Sequence, residues 1–498
     1  MSERKEARGR FGALGSGFVT AVALAVQTGL AGIVGIIVAR DFGRTAQTDG
    51  FFAAYAVFVV MLLAASGIRV IVLPPLARAR DENQLGSEVA AYAVMLAAFV
   101  VPLVLIAFLG AHPFAWILTG GGTPDTIHAA AQVLPWMMLA AVLQLYAGLA
   151  ASSLAALNDY TTPAIGYVLG SSVGLVFILA RINHDGIQAV ARGMALNGLI
   201  AASFPLAVLA RRAFAQNMPA RAIRPASVSF RARVTEIGRG VALPFALQGI
   251  YLICVPLAGR VGVGAVTSFG YAYLIASAIV AVTASSLGLV TSVPLTRGGL
   301  DHARIARHVV SSAWIAVVVI GAVAGIFALA GETIIHALLG SGYKASVGAA
   351  LGRLVVVYSV WAVVSVGVSL TFPLLFVAGA ARRLPLLALL AVIIQVPLAF
   401  LGQVTLGLEG LSLALAATTA FILGALLRDL NALGETARGL SIAAVTVSLY
   451  AVGAFVLPWL FLGPIAGAVL GAVLYAGVIA LVRPAPLRES WRYLHALA

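Results

Sequence analysis

Charge is scarce in this sequence. Charged residues make up 10% of 498 positions and hydrophobic ones 62%, and the mean hydropathy is +1.06. A soluble domain carries roughly a quarter of its residues charged, so a water-soluble globule is excluded. Cysteine is scarcer still. Cys254 is the only one and lies in an apolar run, which excludes an internal disulfide and a cysteine-based metal site. Catalytic and nucleotide signatures are missing too: there is no Walker A, no HExxH and no Cys/His cluster, and the seven histidines are scattered. No catalytic residue, metal site or cofactor is expected, and the chain does not read as an enzyme. Without an ATP site, any transport must draw on ion or substrate gradients.

What is abundant is long apolar sequence. Runs such as AVMLAAFVVPLVLIAFLGA recur every 30 to 40 residues or so, the rhythm of spans needing about 20 apolar residues each. They are continuous rather than alternating, which rules out barrel strands of about 10 residues. Backbone groups inside hydrocarbon must pair within their own segment, so the spans are helices. The expected fold is all-α and polytopic, with spans at 14–39, 51–73, 87–110, 127–152, 163–181, 189–210, 237–259, 265–293, 309–330, 349–376, 384–401, 407–427, 441–461 and 463–482. The basic start MSERKEARGR followed by a spanning run reads as a signal anchor rather than a cleaved signal.

The net charge of +14 reports topology rather than nucleic-acid binding. Of the 31 basic residues, 23 fall on the side of the N-terminus, seven on or near the other side, and Arg69 within a span. With an even number of spans, that bias predicts both termini inside a bacterial cytoplasmic membrane. The most basic loop divides the chain into a six-helix lobe at 1–210, a cytoplasmic linker at 211–236, a second six-helix lobe at 237–430, and two further helices with a tail at 431–498.

The halves also look related. PLAR at 75–78 and PLTR at 294–297 lie 219 residues apart, and Gly43/Gly262, Thr48/Thr267 and Ala53/Ala272 match at the same offset. LNDYTTP at 157–163 faces AGAARRLP at 378–385, each closing a turn with proline. Members six spans apart share orientation, a common transporter arrangement.

The segment VARDFGRTAQTDGFF after Val38 and the turn LNDYTTPAI resemble the lipid II flippase (MurJ, formerly MviN) family of the multidrug/oligosaccharidyl-lipid/polysaccharide (MOP) flippase superfamily. The resemblance implies a V-shaped transporter with a central cavity whose arginines meet a lipid pyrophosphate. Those arginines are replaced here. The first-span pattern leaves Gln27, Thr28 and Val34, the twin arginines of the second span become Leu62 and Leu63, and the second-half motif reads Tyr271-Ala272-Tyr273-Leu274-Ile275.

Ionisable groups within a membrane cost roughly 2.5–3.5 kcal/mol on insertion scales, so Arg69 needs a reason. It is either a cavity cation for an anionic headgroup or a side chain snorkelling to Arg78 and Arg80. Asp49 is a candidate gate residue pairing with Arg40 or Arg44, or else part of a helix cap with Thr48. Gln27 and Gln248 occupy similar places in the two halves. Their amides suit sugar hydroxyls, or serve as interhelical contacts worth about 0.6 kcal/mol. Tyr251, Tyr271 and Tyr273 offer faces for sugar rings, or form part of an interfacial belt.

These readings converge on a flippase-type transporter moving a lipid-linked saccharide or other cell-envelope precursor by alternating access. Membrane lipids are expected partners, and envelope-biosynthesis enzymes are candidates. An ion-coupled exporter of small amphipathic compounds and a transport-incompetent scaffold for envelope biosynthesis remain open alternatives.

Overall fold

The computed structural model describes residues 23, 26–215, 230–297, 302–378 and 381–497; the side chains of 63–71, 213–215, 230–232, 236, 284–297, 302, 376–377, 381 and 494–497 lie outside that description. All regular structure among them is helical. The helices are α1 (26–42), α2 (Ala46–Asp81), α3 (Leu85–Leu109), α4 (Ala111–Leu118), α5 (Pro124–Ala156), α6 (Thr161–Asp185), α7 (Ile187–Ala215), α8 (Phe230–Gly259), α9 (Ala265–Arg297), α10 (His302–Leu339), α11 (Ser346–Val377), α12 (Leu384–Asp429), α13 (Leu433–Trp459), α14 (Pro464–Val482) and α15 (Ala485–Leu497). Eleven of these are long and apolar enough to cross a membrane. α12 runs for 46 residues, far longer than one crossing needs. Gly407 interrupts it at φ 62°, ψ −129°, so it is two crossings, as expected at 384–401 and 407–427. With α1 and α2, this makes an all-α polytopic membrane protein of about fourteen spans. α4 and α15 are additions to the expected set. Each is shorter than a crossing requires.

The chain divides into two compact units, Met1–Leu252 and Ile253–Ala498. In the first, α5 is central and packs against α2, α3 and α7, while α6 pairs with α7. In the second, α11 is central and packs against α9, α10 and α12. Shifted by 219 residues, α2, α3 and α5 fall on α9, α10 and α11, so the two units use the same pairings. Glycines with positive φ recur in the same register: Gly43 with Gly262, and Gly121 with Gly340. The turn between the fifth and sixth spans makes the same backbone excursion in both units, at Gly186 between α6 and α7 (φ 58°, ψ −140°) and at Gly407 within α12. Side chains rarely adopt that conformation, so both turns need glycine. The second turn is tighter, because a Cβ on Gly410 would meet the backbone of Gly402.

The resemblance of LNDYTTP to AGAARRLP takes physical form here. In the first unit Asp159, in the α5–α6 turn, accepts from Arg212 near the end of α7 at 2.6 Å. In the second, Arg383 in the equivalent turn donates to Asp429 at the end of α12 at 3.0 Å. The same two chain points are tied with the charges exchanged. Asp159 also accepts from the Thr162 amide at 3.0 Å and hydroxyl at 2.7 Å, capping α6. Burial opposes ionisation of Asp159, but the Thr162 hydrogen bonds and the Arg212 guanidinium outweigh it, and its carboxyl titrates below its ordinary 3.8. A depressed folded value means that the stabilisation is fully present above the unfolded value and disappears as pH falls through the folded one. The parent should lose thermal stability as pH falls below about 4, and the Asp159→Asn variant should show a shallower acid-side slope, lacking the Asp159 share. Its effect at neutral pH should stay within about 1 kcal/mol, because Arg212 is partly solvated. Melting curves across pH check this, and an unchanged slope would sink it.

α13 and α14 pack on α10 in the second unit. Phe455 of α13 is wedged against Gly325 of α10 and Gly471 of α14, either of which would collide with its ring if it carried a Cβ. Tyr475 of α14 donates its hydroxyl to the Val318 carbonyl at 3.0 Å.

Candidate substrate site and gate

The first helix presents an open face. Thr28, Gly29, Ala31, Gly32 and Ile33 are exposed, Gln27 and Val34 half-buried, and Cβ atoms added at Gly29, Gly32 or Gly35 would meet nothing. Gln27 therefore sits on an accessible stretch. Gln248 and Tyr251 of α8 are both buried, at 6% and 2% exposure. Tyr271 and Tyr273 of α9 are also buried. Tyr271 meets Tyr343 edge-on with ring centroids 5.9 Å apart, and Tyr273 packs against Tyr358 at 6.2 Å and Trp361 at 5.1 Å. In this conformation the Tyr273 ring joins α9 to α11 and the Tyr271 ring packs on the turn before α11, so neither forms an open stacking platform. Arg69 lies in α2, and its side chain is outside the described residues.

The candidate gate lies where α1 passes into α2. The helix starts earlier than Thr48–Asp49 suggest: Thr45 is the N-cap, its hydroxyl accepting from the Thr48 amide while the Thr48 hydroxyl accepts from the Thr45 amide. This reciprocal box satisfies two orphan donors and leaves Asp49 in the first turn, 3% exposed, where a carboxylate is favoured by the helix dipole. Arg40 is exposed and Arg44 half-buried.

Beside this start is a cavity of about 550 Å³ within the first unit, lined among others by Asp41, Thr45, Asp125, His128, Gln132 and Asp185. His128 and Gln132 share a hydrogen bond at 2.6 Å. Asp185 is held from two sides, by Arg181 at 3.1 Å and by Arg192 at 3.0 Å. Arg192 also donates to Gln188 at 2.9 Å and lies 5.4 Å over the Trp136 ring. At the other end of the same unit, Arg233 of α8 grips Glu88 of α3 through two contacts, at 2.6 and 2.8 Å. The Arg233 guanidinium also lies 5.2 Å over Tyr92. Both partners are buried, at 3% and 8% side-chain exposure.

In the sequence Arg181, Arg192 and Arg233 read only as topology charges, and neither Asp185 nor Glu88 belongs to a motif. The available signal was acidic residues at span ends in a chain with so few. In the second unit, Gln395 donates to the Cys254 sulfur at 3.1 Å, a buried neutral contact between α12 and α8. Among the described residues no group of His, Cys, Asp and Glu has metal-binding geometry.

No protein-family model and no curated protein matches the sequence. Solved structures do match the fold. The lipid II flippase MurJ in an inward-closed conformation superposes with a TM-score of 0.71 at 12% identity, over 94% of this chain and 99% of that one. A multidrug-resistance MATE-family transporter of the MOP superfamily, inward-facing, gives 0.66 at 16% identity, over 86% and 99%. A MOP superfamily transporter from Pyrococcus furiosus, described as having a binding pocket of reversed polarity, gives 0.54 at 15% identity, over 86% and 94%. The chain therefore has the fold shared by the MurJ flippase and the MATE transporters of the MOP superfamily.

Proposed function

We propose that this protein is a flippase-type transporter of a bacterial cytoplasmic membrane, with both termini inside. It moves a lipid-linked saccharide or related cell-envelope precursor to the outer leaflet by alternating access. The observation that carries the reading is the likeness to the MurJ structure along nearly the whole length of both chains. In this reading 1–210 and 237–430 are the two six-helix lobes, 211–236 the cytoplasmic linker, and 431–498 the appended helices and tail. Gln27, Gln248 and the tyrosines face the headgroup at some stage of the cycle, and Arg69 supplies the cation. The replacement of arginine by Thr28, Val34, Leu62 and Leu63, beside the amide of Gln27, favours a headgroup read through hydroxyls more than through pyrophosphate. Asp49 with Arg40 and Arg44 forms the outer gate.

The test is reconstitution in liposomes with fluorescent undecaprenyl-linked saccharides, following the label exposed in each leaflet. Wild type should flip at least one of them, and Asp49→Ala and Arg69→Ala should each lose most of the rate. Proton-coupled dye efflux with no flipping of any lipid-linked saccharide would replace this reading with an exporter, and the absence of both activities would favour the scaffold.

A further inference from the structure

α15 follows α14 after one left-handed residue, Arg483 (φ 42°, ψ 67°), and Pro484. Arg483 donates to the Ala480 carbonyl at 2.8 Å, so the spanning helix is closed there. The sequence APLRESWRYLHAL is strongly amphipathic. One face packs on α10 and α9. Leu487 lies against the cluster around Trp314, Ser490 is 2% exposed, and the Tyr493 ring is 6.2 Å from that of His308. The opposite face carries Arg488, Trp491 and Arg492, all exposed, with Trp491 at 66%. Exposed Arg304 and Arg307 at the start of α10 lie close enough to act on Tyr493. The helix has one acidic residue, Glu489.

An exposed tryptophan between arginines, on a helix leaving a transmembrane span, has the composition of an interfacial helix. Its ring sits at headgroup level while its guanidinium groups meet lipid phosphates. We propose that the outer face of α15, with Arg304 and Arg307, is a docking surface for anionic phospholipid headgroups of the bilayer. It does not depend on the identity of the transported substrate. Near a charged surface each basic residue strengthens lipid association by about fivefold, and four arginines on one surface give a marked preference over zwitterionic lipid.

The test uses the full-length protein in detergent with equimolar phosphatidylglycerol and phosphatidylcholine, counting retained lipids by native mass spectrometry. Wild type should retain phosphatidylglycerol preferentially. Arg488→Gln/Arg492→Gln should cut that preference about 25-fold, adding Arg304→Gln/Arg307→Gln should abolish it, and Trp491→Ala should shorten lipid residence without removing the preference. These side chains are exposed, so melting temperatures in zwitterionic lipid should stay at the parental value. An unchanged preference in the fourfold variant, or none in wild type, would overturn the proposal. So would release of the lipid by millimolar glycerol phosphate, which would indicate a site for soluble anions.

Discussion

Arg233→Ala should be among the most damaging single substitutions in this protein. It removes one partner from a bidentate ion pair whose side chains are 3% and 8% exposed, leaving the Glu88 carboxyl buried without the guanidinium that meets both its oxygens. Truncating one member of a buried pair typically costs about 3–5 kcal/mol, a large fraction of the 5–15 kcal/mol that holds a domain together. Glu88→Gln should be nearly as harmful, since it leaves the guanidinium over Tyr92 without its carboxylate. The double variant Glu88→Met/Arg233→Met should recover much of the loss, because a buried pair replaced by packed apolar groups is often neutral. Melting temperatures of the four proteins form a double-mutant cycle. Single variants within about 0.5 kcal/mol of wild type would show that the pair is solvated and dispensable. The stable double variant also bears on the proposed function: loss of flipping in a variant that melts like wild type would tie the pair to the proposed transport.

That pair also shows where the sequence stops being informative. Helices could be read because hydrophobic length and backbone desolvation are local: each span had to lie within about 20 residues, and α12 could be cut in two before Gly407 was seen. The duplication was legible because it repeats at a fixed offset, and the glycines at 43, 121 and 186 recur at or near it. Contacts between distant residues have no such signature. Glu88 alone looks like a favourable first-turn acid and Arg233 like a topology charge, and nothing in either neighbourhood joins residues 145 positions apart. Asp185 with Arg181 was closer to being readable, since i and i+4 charges share a helix face, but Arg192 needed the reversal at Gly186. The tyrosines at 271 and 273 could be read from sequence as belt or stacking platform. Their burial against Tyr343, Tyr358 and Trp361 depends on α11 and the turn before it, some 70 to 90 residues away. α4 is an eight-residue helix, too short for hydropathy to separate from the span before it.

The second large effect is expected where α13 and α14 join α10. Lipid tails are as apolar as leucine, so no hydrophobic gain holds these helices in place; close van der Waals packing and interhelical hydrogen bonds do. Phe455 supplies that packing, and it fits because Gly325 and Gly471 present bare backbone to its ring. Gly471→Leu places a side chain where the ring already lies, so either the ring or α14 must move, at a cost of about 1–3 kcal/mol or more. Phe455→Ala leaves a void instead. At roughly 24 cal/mol per Å³, a cavity of about 100 Å³ costs about 2 kcal/mol. A third glycine provides the control: Gly453 on the same α13 faces open space, so Gly453→Ala should be neutral or slightly stabilising through helix propensity. Thermal melts in detergent compare the three. Gly471→Leu and Phe455→Ala should melt well below the parent, and restoring volume with Phe455→Leu should recover part of the loss. If Gly453→Ala is as harmful as Gly471→Leu, the wedge is not what holds α13 and α14 on the second unit, and the Tyr475 hydrogen bond to Val318 becomes the contact to remove next.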